Sequence, residues 1–276
     1  MSLTRSQLLQ EMGIAPVWRL RENPAGSHAA PEAGEAAYGN DAPAIEAMAP
    51  MQAAREDESV PRAAVSRGVV SPAANGAVAS MGWDALQQGI ADCRACVLCE
   101  QRKQAVPGVG DREADWLFIG EGPGAEEDAR GEPFVAQAGK LLDAMLAAID
   151  LRRGENVYIS NAVKCRPPGN RTPEAGEMAA CRPWLQRQIA LIRPKLIVLL
   201  GRAAVHAVLQ EERSLAGCRG KTFEYRDGEL VVPVIVTYHP AYLLRNLPDK
   251  AKAWEDLCLA RRLMRERQAS GLDLPF

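Results

Sequence analysis

The stretch VYISNAVKCRPPGNR, residues 157–171, decides the fold, because it turns a buried strand directly into a polar loop. Its first seven residues are mostly apolar, a composition typical of a strand that is covered on both faces. Three more strands are predicted at 115–119, 195–200 and 231–238, with helical patterns at 137–150, 173–192, 202–210 and 250–267. This alternation predicts a three-layer α/β/α sandwich with a mostly parallel central sheet.

Polar residues follow these strands at their carboxyl ends. The first strand runs into Gly120 and Glu121, the second carries Asn161, and the fourth leads to His239. Ligands of such sheets bind beyond the carboxyl ends of the strands. The sequence therefore predicts a ligand site at one edge of the sheet.

Five cysteines surround the same region. Cys93, Cys96 and Cys99 stand in DCRACVLC, while Cys165 and Cys181 flank the proline-rich loop. Thiolates suit a zinc ion or an iron–sulfur cluster, and four of them complete either site. The spacing leaves zinc and a [4Fe–4S] cluster as comparable alternatives.

Composition limits the function classes. The 276 residues carry a formal net charge of −2, so no global basic field marks a nucleic-acid binder. The chain shows neither an apolar signal segment nor a run near the ~18 residues of a membrane span. Seven cysteines without a secretory signal predict a reducing compartment, the cytoplasm, and no membrane association. We interpret Cys218 and Cys258 as small buried hydrophobic residues.

The chain divides near residue 82. Residues 24–82 are rich in Ala, Pro, Gly and Glu, and they predict a disordered linker because they cannot bury enough apolar area. Residues 1–23 predict a short helical element, a candidate contact for a protein partner. Residues 83–276 form the predicted folded domain, which we expect to be a monomer.

The glycine loop GEGPG at 120–124 is not a phosphate-binding loop, since it fits neither GxGxxG nor GK[ST]. The acids at 126–128 would repel phosphate, so the loop suits a base or sugar, or is merely a tight turn. On the residues alone, Phe134 is more readily a core anchor than a stacking platform. Asn161 is equally readily a structural amide or a ligand-reading one. His239 is a better candidate for a residue of the ligand site than for a core histidine.

The loop KCRPPGNR carries Lys164, Arg166 and Arg171 with no acid between them. Three such charges are usually solvated, but in a stiff proline loop they form a local patch for backbone phosphates. Leu243 and Leu244, which follow His239, are more often helix core than a wedge in a base stack.

Taken together, these segments resemble the family 4 (iron–sulfur) uracil-DNA glycosylases. The matching stretches are GEGPGAEEDARGEPFVAQAGKLL (120–142), VYISNAVKCRPPGNRTP (157–173), LIRPKLIVLLG (191–201) and TYHPAYLLRN (237–246). The resemblance covers residues 85–265 and implies a uracil-DNA glycosylase fold. It also implies a structural [4Fe–4S] cluster on Cys93, Cys96, Cys165 and Cys181, with Cys99 left out.

The resemblance further implies hydrolysis of the deoxyuridine N-glycosidic bond in single- or double-stranded DNA after base flipping. Phe134 would stack on uracil and Asn161 would read its O4/N3 edge. His239, with backbone N–H groups around Gly120 and Gly122, would stabilise the uracil anion. Glu127 would partner His239, and Glu121 would shape the site. The remaining expected DNA contacts are Lys164, Arg166, Arg171, Leu244 and Arg245.

Two other functions stay open. One is a non-catalytic DNA-binding module that keeps this fold and cluster; loss of Asn161 or His239 would have indicated it, and both are present. The other is a hydrolase of free nucleosides with a structural zinc, which the basic proline loop disfavours.

Overall fold

The computed structural model describes residues 72–210 and 213–269. The predicted element at 1–23 and most of the predicted linker lie outside these ranges. The last part of the predicted linker is described by the structure, and there Pro72–Ala79 forms helix α1. Val78 of this helix is buried against Leu86 and Ile90 of helix α2 (Trp83–Asp92). The prediction of a linker up to residue 82 is therefore wrong at its end.

The sheet has six strands in the order β1-β3-β2-β4-β6-β5. Their bounds are β1 Val109–Gly110, β2 Trp116–Gly120, β3 Val157–Asn161, β4 Leu196–Leu200, β5 Thr222–Asp227 and β6 Leu230–Thr237. The four central strands pair in parallel, whereas β1 and β5 pair antiparallel at the two edges. The prediction of a mostly parallel central sheet is confirmed for these central strands.

Helices cover both faces of the sheet. The remaining helices are α3 Ala125–Arg130, α4 Gln137–Ala148, α5 Ala175–Ile192, α6 Arg202–Leu209, α7 Leu215–Cys218, α8 Pro240–Arg245 and α9 Asp249–Ala269. Phe118 packs with helices α4 and α9 on one face, and its neighbour Leu117 packs with α5 and α6 on the other. Alternate side chains of a strand point to opposite faces, so the three-layer prediction is confirmed.

Helix α5 begins later than predicted. Its N-cap is Glu174, whose backbone N–H donates to the Glu177 carboxylate at 2.8 Å in a capping box. Thr172, the residue before the predicted helix at 173–192, is therefore not its N-cap; it lies beside Glu121 and forms a hydrogen bond with that carboxylate. No helix in the described ranges is long and apolar enough to cross a membrane.

Register places the strand ends side by side. Gly120 of β2 pairs with Asn161 of β3, and Leu200 of β4 pairs with Thr237 of β6. Gly201 and His239 follow these last two strands closely. The predicted polar residues therefore lie side by side at the carboxyl ends of the central strands.

Candidate functional site

A cavity of about 790 Å³ opens at this edge of the sheet. This volume is within the range of small-molecule sites. Eight of the predicted site residues line it: Glu121, Gly122, Glu127, Phe134, Asn161, Arg171, His239 and Arg245.

Asn161 presents a buried acceptor in this cavity. It is 2% exposed, and its Oδ1 has no hydrogen-bond partner among the described residues. A Cβ on Gly120 would lie 2.5 Å from that Oδ1 and 2.5 Å from Cζ of Phe134. Residue 120 must therefore be glycine for the Asn161 and Phe134 side chains to approach each other. An orphaned buried acceptor costs free energy unless a ligand donates to it.

Phe134 lies in a buried but irregular segment. Its backbone has φ 56°, a left-handed conformation that is uncommon for a bulky residue. Its ring stacks on the His239 imidazole, with the ring centres 5.4 Å apart. The aromatic ring is thus a fixed wall of the cavity.

His239 is held in one tautomer. Its Nδ1 accepts a hydrogen bond from the backbone N–H of Ala241 at 3.1 Å, capping helix α8, so the ring proton is on Nε2. Burial, together with the positive charge of Arg245, lowers the pKa of His239 to about 4, against an opposing effect of Glu127. His239 is consequently a neutral donor at physiological pH.

Glu127 does not bond His239, contrary to the predicted partnership. Its carboxylate accepts backbone N–H groups from Gly124, Val135 and Ala136 at 3.0 to 3.1 Å. Because three amides occupy its two oxygens, this carboxylate fixes the loops on either side of the cavity. Glu121 is the other carboxylate that lines this cavity.

Glu121 is half-buried at the cavity wall. Desolvation raises the pKa of its carboxyl group above the ordinary value of 4.5, while the Thr172 hydrogen bond and the charge of Arg202 act in the opposite direction. Thr172 and Arg202 line the cavity too, although the motifs did not single them out. A raised pKa in a cleft is typical of a functional carboxylate.

Lys164 is not a DNA contact, and that prediction is wrong. Its side chain is 1% exposed, and Nζ donates to Ser160 Oγ, the Asn161 carbonyl and Gln188 Oε1 at 2.6 to 2.8 Å. In the described part of the chain, no carboxylate forms an ion pair with Lys164. The ammonium group thus stabilises the end of strand β3, where it donates a hydrogen bond to the backbone carbonyl of Asn161.

The other predicted DNA contacts stay near the surface. Arg166 donates to Asn170 Oδ1 at 2.7 Å, and Arg171 forms a two-bond pair with Glu177 at 2.7 and 2.9 Å. Leu243 is core at 1% exposure, whereas Leu244 is 42% exposed. The loop arginines are therefore braced by local partners, and of the two leucines only Leu244 is presented to solvent.

Five cysteines line one small cavity beside Lys164: Cys93, Cys96, Cys99, Cys165 and Cys181. Arg102 also lines it and donates from Nη1 to Cys165 Sγ at 2.8 Å. The Lys164 backbone N–H lies 3.3 Å from Cys181 Sγ. Two cations beside buried thiols are the surroundings that an anionic thiolate-bound cluster requires, so the residues fit such a group.

The side chains do not form a ready single-ion site. No group of three His, Cys, Asp or Glu residues within 72–210 and 213–269 is arranged to hold one metal ion. Cys218 is buried as predicted, but Cys258 is exposed, so its interpretation as a buried residue is wrong. Arg102 was missed because nothing in its local sequence indicates contact with a cysteine 63 residues away.

Comparisons with known proteins agree with this geometry. Residues 107–258 match the model of the uracil DNA glycosylase superfamily. A type-4 uracil-DNA glycosylase of Archaeoglobus fulgidus is 46% identical over 165 residues, which are 58% of this chain and 82% of that protein. The type-4 enzyme of Pyrobaculum aerophilum is 39% identical over 183 residues, 65% of this chain and 93% of the relative. A type-5 uracil-DNA glycosylase of Pyrobaculum aerophilum is 33% identical over 159 residues, which are 51% of this chain and 67% of that protein.

Proposed function

Because this chain belongs to the uracil-DNA glycosylase superfamily and, within it, to the type-4 enzymes, we propose that it hydrolyses the N-glycosidic bond of deoxyuridine in DNA. The product is an abasic site for base-excision repair. The observation that carries the proposal is the buried, unpartnered Oδ1 of Asn161 between Gly120 and Phe134. A flipped uracil supplies the missing donor.

Uracil recognition uses one amide and one aromatic ring. Uracil N3–H donates to Asn161 Oδ1, and the Asn161 Nδ2 group donates to uracil O4. The Phe134 ring stacks on the face of the flipped base, and this contact offsets part of the free energy lost when the base leaves the DNA stack. Flipping costs a few kcal/mol, and less in single-stranded DNA.

Bond cleavage places negative charge on uracil and positive charge on the sugar. The neutral His239 donates its Nε2 proton in a hydrogen bond to the uracil anion, in a site from which burial excludes water. Glu121 orients the attacking water and balances the sugar cation. Glu127 acts only through the backbone amides that it holds.

DNA contacts come from a small area around the cavity. Arg166, Arg171 and Arg245 contact phosphates, and the exposed Leu244 fills the space that the flipped base leaves. The net charge of −2 makes this local patch, rather than a global field, the source of affinity. We propose that the chain acts as a monomer in the cytoplasm.

The cysteine cavity fits a [4Fe–4S] cluster held by Cys93, Cys96, Cys165 and Cys181. When bound there, such a group would cross-link these four residues and would supply no chemistry to bond cleavage. Its thiolate ligands would compensate the buried charge of Lys164, whose ammonium supports Asn161. What supports this proposal is the shared cavity together with the two cations, Arg102 and Lys164.

The direct test is a cleavage assay on the full chain. Purified protein is incubated, without added metal, with a labelled single strand carrying one uracil and with a matched strand carrying thymine. Alkali then cleaves abasic sites. We expect a product from the uracil strand alone; no product from a folded, iron-loaded protein would refute the proposal and favour the non-catalytic DNA-binding module.

The pH dependence distinguishes the roles of His239 and Glu121. His239 stays neutral at all pH values well above 4, so it produces no change in rate near pH 6.5. Glu121 must be ionised, and its pKa is raised, so the rate falls as pH drops through a value above 4.5. Single-turnover rates should show this one acidic limb.

Glu121→Gln should remove the acidic limb while lowering the rate at neutral pH. The glutamine variant keeps the size of the side chain and cannot titrate. An acidic limb that persists with the same midpoint in Glu121→Gln would assign the titration to another group and contradict the role of Glu121.

A further inference from the structure

The Phe134 segment is held in a strained conformation by residues on two sides. Left-handed backbone at a residue other than glycine costs about 1–2 kcal/mol, so neighbouring groups must stabilise it. On one side, Glu127 accepts the N–H groups of Val135 and Ala136. The carbonyl groups of Pro133 and Phe134 need hydrogen-bond donors of their own.

Arg153 supplies those donors. Its Nη1 donates to the Pro133 carbonyl at 3.0 Å, and its Nη2 donates to the Phe134 carbonyl at 2.9 Å. The Asp143 carboxylate in turn orients the guanidinium, accepting from Nε at 3.0 Å and from Nη2 at 2.9 Å. A planar guanidinium directs its N–H groups in a fixed fork toward two carbonyls and one carboxylate, whereas the compact ammonium group of lysine on its flexible stem does not impose that geometry.

Close packing leaves the Phe134 carbonyl little freedom. A Cβ on Gly139 of helix α4 would lie 1.8 Å from the Phe134 carbonyl oxygen, so this glycine lets the helix meet the segment. Arg153 does not line the cavity, and its side chain is 24% exposed behind the segment. It therefore has no contact with the base and acts only through Phe134 and its neighbours.

We propose that Arg153 is a positioning residue for uracil excision, holding Phe134 in the left-handed conformation that presents its ring to the flipped base. Asp143 orients Arg153 for this task. The inference rests on the proposed function and adds to it a residue outside the cavity and outside the sequence motifs.

Arg153→Ala is expected to lower the single-turnover excision rate about ten- to a hundredfold, because a misplaced ring loses the stacked geometry. DNA affinity should stay within about twofold, since phosphate contacts set it. Arg153→Lys keeps the positive charge but loses the planar guanidinium group with its paired N–H donors, so it should recover only part of the rate. Arg152→Ala is the matched control: Arg152 is 76% exposed and pairs with Glu155, and its loss should leave the rate unchanged.

A double-mutant cycle with Phe134→Ala separates positioning from general destabilisation. If Arg153 acts through the ring, Arg153→Ala has almost no further effect on the rate once Phe134 is alanine. If the rate losses of the two single variants multiply in the double variant, the proposal is overturned. An unchanged rate in Arg153→Ala, with an active wild type, would overturn it as well. If Arg153→Ala fails to fold, Asp143→Asn is used in the same cycle, with a smaller loss expected.

The wild-type assay keeps the two proposals distinguishable. An inactive wild type refutes glycosylase activity itself, whereas an active wild type with an unaffected Arg153→Ala refutes only the positioning role.

Discussion

Asn161→Asp is expected to slow uracil excision about a thousandfold at neutral pH. An ionised aspartate has no donor for uracil O4 and places its charge against that oxygen. The site already buries this side chain to 2% exposure, so water cannot substitute for the lost donor. Single-turnover rates on a uracil-containing single strand measure the loss directly.

The same variant should regain part of its activity as the pH falls, as long as the pH stays above the pKa of Glu121. Burial raises the pKa of a carboxyl group at this position above its ordinary value, and the protonated form carries one donor and one acceptor, like the amide it replaces. Gln210→Glu is the matched control, because it makes the same amide-to-acid change on the surface beside Arg182. Full activity of Asn161→Asp at neutral pH would end the proposed role of Asn161.

Cys181→Ala is expected to abolish both iron binding and excision. Cys181 lies 8% exposed on helix α5, and without a bound cluster the charge of Lys164 would be buried uncompensated. Removing one partner of a buried charge pair costs about 3–5 kcal/mol, which lowers the melting temperature of a domain of this size on the order of 10 °C. Iron and labile sulfide per chain, together with thermal unfolding, test both effects.

Two other cysteines serve as controls for Cys181→Ala. Cys258→Ala changes an exposed thiol on helix α9 and should leave iron content and melting temperature unaltered. Cys99→Ala is the sharper comparison, since Cys99 lines the same cavity but is outside the proposed ligand set. A Cys99→Ala protein that loses its iron while Cys181→Ala retains it would replace Cys181 by Cys99 as a ligand. Zinc in place of iron in the wild type would refute the cluster.

The fold was largely predictable because its central strands are buried on both faces. Runs such as 195–200 have no polar residue after Lys195, so their pattern indicates burial whatever surrounds them. Strand β5 (TFEYRD) was missed because an edge strand keeps one side in solvent and carries charges that disguise it. Helix α1 was missed because an alanine-rich, proline-led segment resembles a linker until a neighbouring helix covers it.

Within the candidate site, the sequence correctly predicted that residues at strand ends, such as Asn161 and His239, lie together in one cavity. It failed where a partner is distant. Lys164 looked like a surface cation because Gln188, which accepts from it, lies on another element. Glu127 looked catalytic, although a glutamate in the first turn of a helix can accept the backbone N–H of the N-cap residue, as Glu127 does from Gly124.

The wide spacing of the cysteines also bears on the order of events during translation. Cys93 and Cys181 are 88 residues apart, and a ribosome that adds 5–20 residues per second needs roughly 4–18 s to pass from one to the other. Until then the nascent chain offers only the first thiols, exposed to oxidants and to competing metals. The proposed cluster could therefore be completed only once helix α5 has been made, while strands β4, β5 and β6 are still missing, and a truncation before helix α5 would release a polypeptide without Cys181.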